Sequence, residues 1–506
     1  MNDEQFGWLV HRLENQAANA PQAFRTKVFL ISIAAYAALA LSLLLVALLL
    51  AWALTHIHER GMTRTALAVG VFALTTLPVF WVTLRTLLTR WPAPAGRSLT
   101  RAEAPVLFDL LDKMRKRLAG PQIHHVLLDD GYNACIAQRP RWGLVGPSVN
   151  YLVLGLPLMF GLGTSEMLAV VGHEYGHLCG GHGRGSAWIY RQRMIFEQVA
   201  ARVAANAEAS LWHAAMAKAM QAFAPYFYAY TFVLARQEEY EADRTGAGVT
   251  SAQASASGLI RIHLLGDWLR QDFWPTLYRQ ANTRDRPTIL PYQSMATAFR
   301  MSHAQWATAT RLRDALRQES GVADTHPCLR ARLETLGQEP ALPGPLQRHA
   351  AAALLGSLGE RLAGEFDQAW WRAESKDWGE RHRHVTRSQS RLRALGGQAL
   401  ADLPLQDLQE LARLQSEFAS PQAAKPVLEH LLCRPGGPFP LASYVYGQIL
   451  LDERNRDGLD YLASAARHDR RLADDALRIG FAYLLGHHGE QRAQQWAESV
   501  LDALPA

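Results

Sequence analysis

The chain has 506 residues, too many for a single core, so a membrane part plus about two or three soluble domains is expected. Hydrophobic residues make up 49% and charged residues 19%, which excludes a largely disordered chain. The net charge is +6, but the basic residues are scattered or flank apolar stretches and do not interleave with aromatics, which argues against a nucleic-acid partner.

Residues 28–54 carry no charge, and as a helix they would extend about 40 Å, beyond the ~30 Å hydrocarbon core of a bilayer. The stretch begins too late and runs too long for a cleaved signal peptide. A second apolar stretch, Ala66 to Leu84, contains Pro78, which a membrane helix tolerates. The pair reads as a transmembrane hairpin over residues 28–88, behind an N-terminal tail of residues 1–27. Arg12, Arg25 and Lys27 precede the first span, and Arg60 and Arg64 lie in the loop. Arg90, Arg97, Arg101, Lys113, Arg115, Lys116 and Arg117 follow the second span and carry most of the weight. This asymmetry places both ends in the cytoplasm, as in a multi-pass protein of the inner (plasma) membrane with the lipid bilayer as a partner.

Residues 91–99 form a Pro-rich linker, followed by a helix-like segment from Glu103 to Leu118. Short β-like runs come next, at His125 to Leu128, Asn133 to Ala137 and Tyr151 to Leu154. From Ser165 the pattern is helical, with Thr164 or Ser165 as the cap and Gly180-Gly181 as the stop. Residues 98–340 thus read as an α-rich α+β domain with a small sheet. A Pro/Gly-rich break at Pro340 to Pro345 precedes a helical domain over 346–506. Within it, similar patterns start at Tyr446 and Ile479, and Gly447 and Gly480 are 33 residues apart. That offset is close to the period of tetratricopeptide-like helix pairs, and the alternative is an ordinary helical bundle with a chance match. Cys135, Cys179, Cys328 and Cys433 form no CxxC pair, which points to a reducing compartment without a disulfide scaffold.

His173-Glu174-Tyr175-Gly176-His177 fits HExxH. On a helix, residues four apart share one face, so two imidazoles there can hold one metal ion, while Glu174 can take a proton from a metal-activated water. Zinc needs a third protein ligand. The pattern HExxHxxGxxH would put a histidine at 183, where the residue is Gly183; His182 is one position early, and a further route would use His182 itself as the ligand. The other source is ARQEEYEADRTGA, residues 235–247, in which Glu239 and Asp243 are four apart. Glu239 there could bind the metal and Asp243 could accept the free N–H of a ligand histidine. Cys179 reads as a small buried thiol, because the helical ligand spacing is already filled.

The sequence resembles the zinc metallopeptidases related to the membrane heat-shock protease HtpX and the type I CAAX prenyl protease, which are gluzincins. Four segments carry the resemblance across about residues 100–340: LLDDGYNACIAQ with Asn133-Ala134, the HExxH helix and its lead-in, ARQEEYEADRTGA against SRxxExxAD with Ala235 in place of Ser, and THPCLRARLETLG with His326, Pro327, Arg332 and Leu336. The resemblance implies a zincin-like fold binding one Zn2+ per chain through His173, His177 and Glu239. Glu174 would be the general base, and Asp243 would support a ligand histidine. Asn133 and Ala134 would mark an edge strand that binds substrate. His326 would either cap the metal cleft or steady the substrate; the alternative is a turn at the start of a helix, stabilised by Pro327.

The activity expected is that of a metalloendopeptidase acting on unfolded or membrane-associated proteins, with its catalytic domain in the cytoplasm. The rival is a zinc-containing membrane chaperone or scaffold that recruits protein partners through the C-terminal helices. A structural zinc site usually has four closed ligands, whereas this motif supplies three plus an acid, which favours an enzyme. A prenyl-protease role would call for many spans, and only two are found.

Overall fold

The computed structural model describes residues 3–33, 93–142, 145–179, 211–321 and 326–504, with isolated positions between 44 and 55. The hairpin expected over 28–88 lies almost wholly outside the described residues, and among those described no helix is long and apolar enough to cross a membrane. The chain divides into two compact units, Met1–Leu277 with Ile289–Arg372, and Tyr278–Thr288 with Ala373–Ala506. The Pro/Gly-rich stretch at 340–345 falls inside the first unit, not at its end.

The first unit is mainly helical around one four-stranded sheet. The strands are β1 (Arg97–Leu99), β2 (His125–Asp129), β3 (Ala134–Trp142) and β4 (Val145–Gly155), in the order β1-β2-β4-β3. β2 and β4 pair in parallel at the centre, with Val126 opposite Leu152 and Leu128 opposite Leu154. All four side chains are buried, which explains their near-continuous apolar runs. Among the described residues, β3 pairs only with β4, antiparallel, and forms an edge of the sheet. It extends well past the run Asn133 to Ala137, because cross-strand pairing holds a polar stretch whose side-chain pattern does not signal a strand.

Helix α1 (Asp3–Asn19) lies in the N-terminal tail. Its apolar residues Val10, Leu13 and Ala17 recur at helical spacing and are buried with Phe24 and Val28 against Ala229, Phe232 and Val233. Arg236 Nη1 donates to Glu14 at 2.5 Å across this contact, and Arg25 pairs with Glu241. The segment beginning at Pro105 is α2 (Pro105–Leu118), and Thr100 to Glu103 form the turn before it.

Three helices frame the site: α3 (Leu156–Gly161), which leaves β4 directly, α4 (Thr164–Cys179), and the 39-residue α5 (Leu211–Val249). α4 is capped by neither Thr164 nor Ser165. Gly163 holds the cap position: its carbonyl accepts from Met167 N–H at 2.9 Å, and its N–H donates to Glu166 Oε2 at 2.8 Å. Glu166 thus reaches back from the first turn as in a capping box.

α4 and α5 meet through small residues. A Cβ on Gly246 would lie 2.5 Å from Ala169 O, one on Gly172 3.1 Å from Gly246 Cα, and one on Gly176 3.1 Å from Ala242 Cα. Those distances leave no room for larger groups, so the backbones approach more closely than ordinary side chains allow. The second unit is helical throughout its described residues apart from connecting turns. It contains three successive helix pairs, Leu405–Phe418 with Pro421–Leu432, Pro440–Asp452 with Gly458–His468, and Ala473–His488 with Glu490–Leu501. Gly447 faces Gly458 O within the second pair, and Gly480 faces the Trp496 ring within the third. The two glycines meet different partners, a backbone carbonyl in one pair and an indole ring in the other.

Candidate metal centre

The helical spacing of HExxH puts both imidazoles on the face of α4 turned toward α5. His173 Nε2 and His177 Nε2 lie 3.3 Å apart. Glu239, on α5, places Oε2 3.6 Å from His173 Nε2 and Oε1 3.4 Å from His177 Nε2. Ligand atoms held about 2.05 Å from a tetrahedral zinc would be about 3.3–3.4 Å from one another, so the observed spacing fits the ion. Among the described residues, this is the one group of three or more His, Cys, Asp or Glu side chains able to share a metal. The donor set suits a cation: two ring nitrogens face each other beside the buried Glu239 carboxylate. Burial works against charge on Glu239, but contact with His177 and His326 outweighs it and holds the carboxyl far below its ordinary range. For His177, burial lowers the pKa and Glu239 raises it, with a net upward shift.

Asp243, one turn along from Glu239, fixes the tautomer of His173. Its Oδ1 lies 2.9 Å from His173 Nδ1, so Nδ1–H donates to the carboxylate and the Nε2 lone pair is left for a metal. Asp243 in turn accepts two bonds from Arg332, at 2.8 Å from Nε and 2.6 Å from Nη2. This fork holds the carboxylate rigidly. Burial alone would raise the pKa of Asp243; Arg332 and His173 reverse that and lower it. Sequence reasoning placed Arg332 in a motif but gave it no task. LRARL carries two arginines, Arg330 and Arg332, and no local signal in it singles out Arg332.

Glu174 is not part of the ligand triangle. Its Oε2 accepts the backbone N–H of Ile136, on β3, at 3.2 Å. Burial pushes its carboxyl pKa up, against the pull of His173 and His177. Asn133 O accepts from Gly155 N–H at 2.8 Å, and the residues of β3 alternate in direction, so Ala134 and Ile136 turn their backbone groups toward the open edge. Tyr132, Asn133 and Ala134 line a 230 Å3 cavity with His173 and Glu174; Leu158, Val170, Leu259 and Ile262 supply its apolar wall.

His326 Nδ1 is 3.0 Å from Glu239 Oε2 but off the line of a hydrogen bond, and its side chain is 71% exposed. The structure therefore brings His326 to the mouth of the site. Cys179 lies outside the group of three possible ligands. His182, the competing third ligand, lies outside the described residues.

A small sheet whose edge strand runs beside an HExxH helix, with an acid from a second helix completing the triangle, defines a zincin-type metallopeptidase site. Residues 146–339 match the family model for peptidase family M48, in keeping with the resemblance to HtpX-like and CAAX-protease-like zinc metallopeptidases. No curated protein matches the chain.

Proposed function

We propose that this chain is a zinc metalloendopeptidase that cleaves unfolded or membrane-associated proteins, with His173, His177 and Glu239 as ligands and Glu174 as general base. The observation that carries the proposal is the convergence, beside an open strand edge, of three atoms at zinc-ligand spacing and a fourth, non-ligating carboxylate. Zinc, when bound, supplies a Lewis acid and lowers the pKa of a coordinated water into the neutral range. The protein's own residues do the rest. The open edge of β3 aligns an extended substrate segment by β-addition, which only a flexible or unfolded segment can offer. Ala134 lies on the substrate-facing side of that strand, and Asn133 sits at its start. The cavity behind His173 takes an apolar substrate side chain.

Glu174 is positioned for proton transfer. The Ile136 N–H orients one of its oxygens, and burial raises its proton affinity toward that of a useful acid–base group. It takes a proton from the attacking water and passes it to the leaving amine. Asp243 accepts from His173 Nδ1–H, which turns the Nε2 lone pair toward the metal position and fixes the ring in rotation. His326, at the mouth, steadies substrate over the site. The membrane hairpin, a cytoplasmic site and recruitment of partners through tetratricopeptide-like helix pairs of the second unit complete the proposal and suit a role in protein quality control.

The test is cleavage of casein by the full chain and by Glu174→Gln. The variant should keep its zinc and fold but lose about a hundred- to ten-thousand-fold in rate. Equal cleavage by both, or zinc-loaded wild type that binds partners without cleaving anything, would favour a scaffold.

A further inference from the structure

The N-terminal tail makes two ion pairs with α5, and they fall on either side of the metal ligand Glu239. Arg236, before Glu239, donates from Nη1 to Glu14 Oε1 of α1 at 2.5 Å, and Arg25 of the tail pairs with Glu241, after it. The charges are reciprocal: an acid of the tail meets a base of α5, and a base of the tail meets an acid. Arg236 also donates from Nη2 to Gly321 O at 3.0 Å, and its guanidinium lies 4.4 Å from the centre of the Phe232 ring. Gly321 precedes the segment Thr325-His326-Pro327, which brings His326 to the mouth of the site. One guanidinium therefore joins the tail, the ligand helix and the approach to His326.

These pairs are not needed to dock the tail. Val10, Leu13, Ala17, Phe24 and Val28 are already buried against Ala229, Phe232 and Val233. Apolar packing of that kind tolerates small slips along a helix, whereas complementary charges fix the register. The Arg236 side chain is only 13% exposed, so its pairing is made largely out of water, where a misplaced partner is costly. Register matters here because zinc tolerates only about 0.2 Å of error in ligand distance. At 1.5 Å rise per residue, Arg236 lies about 4.5 Å along the axis from Glu239, less than one turn, so a slip at one is carried to the other. On the far side of Glu239, Arg332 holds Asp243 at 2.6 and 2.8 Å. Glu239 thus sits between two polar fastenings, one supplied by α1.

We propose that Arg236 is a positioning residue for Glu239, and that the N-terminal helix, through Glu14, is a working part of the metal centre and not only a lead-in to the apolar stretch from Val28. The proposal rests on the metal reading above. Arg236 touches neither metal nor substrate; it acts by setting where α5 holds its carboxylate.

The experiment measures zinc affinity by chelator competition, and stability by urea unfolding, on the full chain. The variants are Arg236→Met, Glu14→Gln, their double variant, and Leu13→Ala, all compared under conditions in which each is folded. Arg236→Met and Glu14→Gln should each weaken zinc binding by about tenfold. The double variant should be no weaker than Arg236→Met alone, because both changes break one fastening. Leu13→Ala removes buried apolar volume from the same helix but leaves both ion pairs, so it should lower stability while zinc affinity stays within about twofold. Glu14 is 29% exposed and can hydrate when unpaired, so Glu14→Gln alone carries the test if Arg236→Met does not fold. Unchanged zinc affinity in Glu14→Gln overturns the proposal. So does a loss in Leu13→Ala as large as in Glu14→Gln, which would make α1 a packing element only. Wild type that binds no zinc fails differently: it refutes the metal reading itself, and the proposal with it.

Discussion

Gly246→Ala tests whether the close approach of α4 and α5 sets the metal geometry. A Cβ at this position would stand 2.5 Å from Ala169 O, whereas ordinary contact begins at 3.4 Å, so about 0.9 Å must be recovered. The opposing atom is backbone, and no side-chain rotation relieves it; His173 N, at 3.2 Å, is also in the way. Replacing a helical glycine by alanine gains about 1 kcal/mol of helix propensity, and overpacking of this kind costs about 1–3 kcal/mol. With a backbone clash this deep the cost lies at the upper end, leaving a net loss of about 1–2 kcal/mol. Moving α5 outward also widens the 3.4 and 3.6 Å separations of Glu239 from the two histidines. Zinc tolerates only about 0.2 Å of error in ligand distance, so affinity should fall about tenfold or more. Gly248→Ala is the matched control: it is on the same helix, two residues on, with nothing within 4 Å of the new Cβ. Urea unfolding and competition with a zinc chelator measure both effects. Gly246→Ala that is as stable as Gly248→Ala and binds zinc equally would refute the reasoning.

Asp243→Ala removes the partner of both His173 and Arg332, whose side chains are 12% exposed, while that of Asp243 is 3% exposed. Stability should fall by about 3–5 kcal/mol, and zinc affinity by about ten- to a hundredfold, by denaturation and chelator competition; unchanged zinc affinity would remove its assigned role. Glu103 gives a pH dependence outside the site: hydrogen bonds from Arg97 and Thr100 lower its pKa from 4.5 to about 2. A depressed carboxyl contributes stability that is present above pH 4.5 and lost as pH falls toward 2, so wild type minus Glu103→Gln should show a stability difference that vanishes across that window, read by acid titration of unfolding.

The parts of the site that follow from helical periodicity were legible. His173 and His177 share a face because they are four apart, and Glu239 and Asp243 do so for the same reason. The parts set by contact between distant segments were not. Arg332 lies 89 residues from Asp243, and nothing local in LRARL says that its charge is spent inside the protein. Gly172, Gly176 and Gly246 have no local pattern that explains them; the meeting of two helices does. The amphipathic pattern of Val10, Leu13 and Ala17 was present in the N-terminal tail, but sequence does not say that α5 is the surface it covers. Glu166 was readable as a first-turn acid, yet its position at the cap of α4, and its buried pairing with Arg261, depend on the helix Ala252–Trp268 packing beside it.

The central claim is that His173, His177 and Glu239 hold one zinc ion. Anomalous diffraction at the zinc edge from crystals of the full chain tests it directly. The account predicts a single peak per chain, about 2 Å from both imidazole Nε2 atoms and from a Glu239 carboxylate oxygen. A peak ligated by His182 in place of Glu239, or no peak between the two histidines, would contradict it.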